Sequence, residues 1–179
     1  HRFRRGYKNV INEAKRLETE GVNAPLAIET SGHAAFKENY FLDDGAYLVA
    51  KVLIKMANLN LNKNKKIGDL IADLEEAKIK KEYRMTIKLD DFKDYGQQIL
   101  SDLKEFIKEI DDWETAPKNY QGLRINCGNK DWFLMRLSLH DPVLVLNVEC
   151  DKEQSLNYIL KEIKNFLSNY KKLDLSPLK

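Results

Sequence analysis

The sequence predicts an α+β fold in two parts: a C-terminal four-stranded antiparallel sheet with two helices on one face, preceded by the last helix–strand–helix portion of an α/β domain. Three observations carry this. Residues 83–179 switch between period-2 and period-3.6 apolar patterns in the order strand, helix, three strands, helix. Strands joined by short turns pair antiparallel, and the helices then gather on one face of the sheet. Residues 1–60 read helix, strand, helix, and one strand cannot close a sheet by itself. Between the two parts, residues 61–82 are polar and lysine-rich around a short helix, which suits an inter-domain linker.

In chain order, a basic turn with Arg2, Arg4 and Arg5 leads into a helix carrying Val10, Ile11, Ala14 and Leu17 at three- and four-residue steps, stopped by Gly21. Pro25–Ile28 is an apolar run and reads as a short buried strand. It runs into the polar stretch Glu29-Thr30-Ser31-Gly32-His33. A second polar turn spans Asn39–Gly45, and Asp43 or Asp44 caps the helix beyond it. Tyr47, Leu48, Val49, Val52, Leu53 and Met56 make that helix's apolar face too wide for a lone surface helix, so it should pack on something. In the linker, Lys63, Lys65 and Lys66 form a solvated charge run, and Ile67, Leu70, Ile71 and Leu74 give a short helix its stripe.

The C-terminal part opens with a strand over Tyr83–Leu89, with Arg84, Thr86 and Lys88 on its second face. A helix over Phe92–Ile110 follows, then strands near Gly122–Asn126, Trp132–Ser138 and Val143–Glu149. Gly128-Asn129 marks a hairpin turn between the first two of these. The last helix runs from Lys152 to Tyr170, and the tail with Pro177 is expected to fray.

Two polar bends carry the chemistry. Glu29, Ser31 and His33 alternate in an extended loop, so all three can project to one side. A carboxylate accepts from two vicinal hydroxyls, a serine donates and accepts, and an imidazole can relay a proton, a set that suits a sugar. Gly32 lets the backbone come close to such a ligand. The same residues also read as an ordinary capped turn. In the second bend, strand parity puts Arg136 and Ser138 on one side, ahead of His140-Asp141-Pro142. A guanidinium fork with a hydroxyl and loop amides suits a phosphate. Pairing of Arg136 with Asp141 is the alternative.

Both bends resemble loops of the α-D-phosphohexomutases, the phosphoglucomutase/phosphomannomutase family. That family's third domain carries Glu-x-Ser-Gly, often followed by His, and then Asp-Asp-Gly at the next helix. Here these stand as Glu29-Thr-Ser31-Gly32-His33 and Asp43-Asp44-Gly45. Gly6-Tyr7-Lys8 resembles the family's Gly-aromatic-Lys, which implies that Lys8 joins the sugar site, although spacing alone leaves it a solvated lysine. The family's fourth domain, TATA-binding-protein-like in fold, binds phosphate with Arg-Pro-Ser-Gly-Thr-Glu-Pro. Arg136, Ser138 and Pro142 match it, with Asp141 in place of Glu, Leu137 of Pro, Leu139 of Gly and His140 of Thr. The loss of that glycine bears on the loop's backbone path. Val145 stands where the family often has another arginine.

The resemblance implies residues 1–60 as the end of domain 3, 61–82 as linker and 83–179 as domain 4. It implies a parent enzyme that interconverts hexose 1- and 6-phosphates through a phosphoserine, with Mg²⁺ and a hexose 1,6-bisphosphate intermediate. The family's catalytic serine segment and metal-binding aspartate run have no counterpart in these 179 residues. Glu29, Ser31, Gly32, His33 and Lys8 are therefore expected to bind sugar, and Arg136, Ser138, His140 and Asp141 phosphate. None is a metal ligand or a catalytic residue, save that His33 could assist proton transfer. The expected partners are a hexose phosphate and upstream domains of the same polypeptide.

With 30 basic against 28 acidic residues and a net charge of +2, nothing favours nucleic acid. No apolar run reaches membrane-spanning length, and Cys127 and Cys150 read as reduced thiols of a cytoplasmic protein. The chain opens on His1 without an initiator methionine and is read as a piece of a longer one. The competing reading is a standalone binding module that uses the bare face of its sheet.

Overall fold

Hydrophobic spacing sets the first helix: α1 (Tyr7–Thr19) turns Val10, Ile11 and Ala14 toward Ala27 and Ala35. In the computed structural model, which describes residues 1–178 apart from the side chains of Asn62 and Lys63, the chain divides into units 1–75 and 76–179. Lys63 of the expected charge run thus lies, for its side chain, outside the described residues. Gly6 starts α1 at φ 108°, and Gly21 ends it at φ 79° with its N–H on Glu18 O.

The predicted strand exists as β1 (Leu26–Ile28), but it is not buried: Leu26 is 39% and Ile28 55% exposed. It pairs antiparallel with a second short strand, β2 (Ala34–Phe36), in the register Leu26↔Phe36, Ala27↔Ala35, Ile28↔Ala34. α1 packs on one face of this ribbon through Ala27 and Ala35; on the other, Ala34 is buried and the Phe36 ring meets Tyr47 edge-on, while Leu26 and Ile28 stay exposed. The second helix, α2 (Gly45–Lys63), is longer than its apolar pattern suggests. Asp44 is its cap and accepts the Tyr47 N–H at 2.9 Å. Its wide apolar face is left largely uncovered, with Val49, Val52, Leu53, Ile54 and Met56 all exposed. The expectation that this face packs on something is not met within the unit. A 3₁₀ turn at Ile67–Ile71 follows.

The second unit is one antiparallel sheet in the order β3-β7-β6-β5-β4. The strands are β3 (Ile79–Thr86), β4 (Glu114–Thr115), β5 (Leu123–Asn126), β6 (Trp132–Leu137) and β7 (Val143–Cys150). Four correspond to the expected strands. The fifth, β4, is a two-residue edge paired Glu114↔Asn126, too short to leave an apolar alternation. β3 starts at Ile79 rather than Tyr83 because β7 continues to Cys150 and pairs it there.

Helices α3 (Phe92–Phe106) and α4 (Glu153–Leu167) cover the same sheet face. Ile99 and Leu103 from α3 and Ile159, Ile163 and Leu167 from α4 pack on Met85, Phe133, Met135, Leu144 and Leu146. The tail does not fray. Leu173 bridges Ile87, Lys88 N–H donates to Lys172 O at 2.7 Å, and Leu178 is fully buried. Leu173, Leu175 and Leu178 bring apolar surface back to the core's edge, which outweighs the usual freedom of a terminus.

Candidate functional site

Strand pairing, not an extended loop, brings the first set of residues together. Beyond the Ile28↔Ala34 pair, Glu29 N–H donates to His33 O at 2.9 Å and Gly32 N–H to Glu29 O at 2.9 Å. Residues 30–32 close a tight hairpin, with Gly32 at φ 94°. The expected three-residue alternation is therefore replaced. Glu29 and His33 face each other across the hairpin and share the side of Ala27 and Ala35, the side on which α1 packs. Ser31 sits exposed at the tip, its hydroxyl bonded to no protein group among the described residues.

The start of α1 then lies over the pair. Gly6 N–H donates to Glu29 Oε1 at 3.2 Å, and no group among the described residues bonds the other carboxylate oxygen. The Tyr7 ring stacks on His33, with centroids 5.1 Å apart and planes at 26°. Lys8 Nζ stands 5.9 Å from the Tyr7 centroid. On the remaining side, His33 Nδ1 is 2.8 Å from Asp43 Oδ2. Tyr40 and Phe41, at φ 55° and 54°, fold the chain back so that Asp43 bridges Ala35. Left-handed backbone at two bulky residues costs about 1–3 kcal/mol each, and Phe41 offsets part of it by packing against the alanine cluster. Glu29, His33 and Lys8 are thus gathered at one place, with Ser31 at its rim. Tyr7 and Asp43 belong to the same site. Their identities stood in the motifs, but only the fold shows that both touch the imidazole.

The second bend joins β6 to β7. Ser138 N–H donates to Val143 O at 2.9 Å, and Asp141 N–H donates to Ser138 Oγ at 3.3 Å. The Ser138 hydroxyl donates in turn to Asp141 Oδ2 at 3.4 Å. Ser138 and Asp141 are therefore engaged with each other, and the alternative pairing of Asp141 with Arg136 is not among the contacts described. Leu139 does not need the backbone of a glycine, since its φ is not in the left-handed region. With His140 it forms an exposed tip.

Register resolves the row that contains Arg136. Arg84, Val145 and Arg136 lie side by side across β3, β7 and β6, with Val145 fully buried between the arginine stems. The Asn147 amide, the Arg84 guanidinium bond at 3.0 Å and the charge of Arg136 hold the Glu82 carboxyl below its usual range. Parity alone places Arg84 on the open sheet face, but its alignment with Arg136 needs the pairing of two strands with a third. On the same face the Arg124 guanidinium lies 4.3 Å over the Trp132 ring. Among the described residues, no three His, Cys, Asp or Glu side chains gather to hold a metal ion. A 460 Å³ groove between α3 and the β4–β5 connection, near Ser101, Lys104 and Asn119, touches none of these residues.

Residues 1–77 match the model of phosphoglucomutase/phosphomannomutase alpha/beta/alpha domain III. The chain is 29% identical over 163 residues to a phosphomannomutase of Methanocaldococcus jannaschii, covering 90% of this chain and 32% of that protein. A crystal structure of a phosphoglucomutase/phosphomannomutase family protein from Burkholderia thailandensis superposes with a TM-score of 0.65 at 25% identity, over 93% of this chain and 32% of that one. The chain thus spans about a third of the length of these relatives. By the matched sequence over residues 1–77 and the likeness over nearly the whole chain, the family this chain is similar to is the phosphoglucomutase/phosphomannomutase family.

Proposed function

We propose that the chain is the ligand-holding C-terminal part of a phosphohexomutase: residues 1–75 end domain 3 and 76–179 form the TATA-binding-protein-like domain 4, α2 and β3 taking up the two ends of the expected 61–82 linker. The parent enzyme would interconvert hexose 1- and 6-phosphates by way of a phosphoserine and a hexose 1,6-bisphosphate, in the cytoplasm. The observation that carries this reading is the gathering of Glu29, His33, Tyr7 and Lys8 around one hairpin.

Here the Glu29 oxygen left by Gly6 accepts from sugar hydroxyls, Ser31 donates or accepts at the rim, and Lys8 supplies positive charge. In the second unit Arg136 and His140 face the phosphate, and Arg84 supplies the guanidinium that Val145 cannot. Asp141 opposes an anion, so its bond to Ser138 must yield or turn aside on binding. Mg²⁺ would serve phosphoryl transfer in the parent. Among the described residues no three His, Cys, Asp or Glu side chains gather to hold it. No helix among the described residues is long and apolar enough to cross a membrane.

Titrating ¹⁵N-labelled chain with glucose 1-phosphate tests this. Amide signals of 29–33 and of 136–141 are each expected to move, and Glu29→Gln and Arg136→Ala each to abolish the response of its own loop. Signals that stay still at millimolar ligand would sink the reading. The isolated chain is expected to show no turnover of glucose 1-phosphate in a coupled assay; turnover would place the chemistry within these residues. One observation favours a second reading, a binding module working through the sheet face: the Arg124–Trp132 stack. An oligonucleotide that shifts Trp132 and Arg124 while the loops stay silent would favour it instead.

A further inference from the structure

His33 is held from three directions. Tyr7 from α1 covers one ring face, Glu29 stands across the hairpin, and Asp43 meets Nδ1 at 2.8 Å. An ionised carboxylate can only accept a hydrogen bond, so the nitrogen that meets it must carry the proton. We infer that Asp43 is a positioning residue for His33, fixing the Nδ1–H tautomer and the ring's rotation so that Nε2 presents its lone pair outward. The inference builds on the sugar-site reading, because an Nε2 lone pair accepts from a ligand hydroxyl.

The backbone is built for this contact. Left-handed turns at Tyr40 and Phe41 return the chain to the hairpin, and the Ala35↔Asp43 bridge fixes where the carboxylate begins. The neighbouring carboxylate points elsewhere, since Asp44 accepts the Tyr47 N–H and the Asn39 amide at the head of α2. Two adjacent aspartates thus serve different partners, one the imidazole and one the helix. Asp43's side chain is only a quarter exposed, against half for His33, so the pair is shielded from one side and open on the other. Lys8, reached through Tyr7, is the remaining charge at this place.

The tautomer can be read without ligand or turnover. In long-range ¹H–¹⁵N spectra of the labelled chain at about pH 8.5, where imidazole is ordinarily neutral, His33 is expected to show a protonated Nδ1 and a bare Nε2. Asp43→Ala should release that preference and shift both ring nitrogens. Asp44→Asn, which keeps a capping side chain, should leave them unchanged. Amide signals of Leu26–Phe36 report whether the hairpin survives, and Asp43→Asn, of the same shape, covers the case in which the alanine variant loosens it. A proton on Nε2 in the unaltered chain, or ring signals indifferent to both Asp43 variants, overturns the inference. Glucose 1-phosphate forms the second arm. Asp43→Asn is expected to weaken its binding by about 5- to 10-fold, the size of one ordinary hydrogen bond. Ligand that moves nothing in a chain with the predicted tautomer overturns the sugar reading and leaves the Asp43–His33 pair standing.

Discussion

At Gly122 the backbone stands at φ 96°, and an added Cβ would lie 2.3 Å from the Met135 carbonyl oxygen. The left-handed conformation costs an L-residue about 1–2 kcal/mol and overpacking about 1–3 more. Gly122→Ala is therefore expected to lower stability by about 2–5 kcal/mol, read as a reduced urea midpoint of the second unit. Cys127 allows a quieter test. Burial first, then the charge of Asp131, pushes its thiol up to about 12. The thiolate is the reactive form, so native Cys127 should alkylate at pH 8 about a thousandfold more slowly than an ordinary thiol. An ordinary rate would contradict its burial.

The candidate residues are legible by type: Glu29, Ser31, His33 and Arg136 declare their chemistry by side chain and spacing. Their neighbours are not. Arg84 joins Arg136 only through two strand pairings, and Asp43 reaches His33 only because two aromatic residues adopt a backbone their side chains disfavour.

Elements show the same division. Long apolar periods placed α1, α2, α3, α4 and four of the sheet strands. What escaped was short or defined by contact: β2, whose three residues Ala-Ala-Phe carry no alternation, the edge strand β4, and the docked tail. Capping was legible as a choice between Asp43 and Asp44, and geometry assigns it to Asp44. The Tyr47 N–H chiefly holds the Asp44 carboxyl below its usual range, helped by the Asn39 amide and the Ala46 N–H against the opposing effect of desolvation. A depressed carboxyl stabilises the fold above its unfolded value near 4 and loses that contribution as pH falls through its lower folded value. Asp44→Ala should thus be less stable than the unaltered chain at pH 7, and the two urea midpoints should converge as pH falls below the usual carboxylate range. A gap that persists undiminished in acid would show that the carboxylate is not what stabilises α2.

For the molecule as a whole, the unusual quantity is the apolar surface that α2 leaves in water. Val49, Leu53, Ile54 and Leu61 are each more than half exposed, and so is Ile28 in the hairpin. A helix apolar on so many sides is characteristic of a buried position, and a patch of this kind marks a surface that another element covers. The chain matches domain III over residues 1–77 and spans about a third of its relatives, so the proposed cover is the remainder of that domain in the parent polypeptide. The proposal separates two contexts. In the 179-residue chain, Leu53→Lys and Ile54→Lys replace exposed apolar groups and should improve solubility and reduce dye binding with little change in stability. In a longer chain that carries the upstream sequence, the same changes would bury a cation in a packed layer and should cost several kcal/mol or prevent folding. Equal tolerance in both contexts would mean that α2 faces water in the parent as well. Residues 1–75 would then be a free-standing ribbon and helix pair rather than the end of an α/β domain.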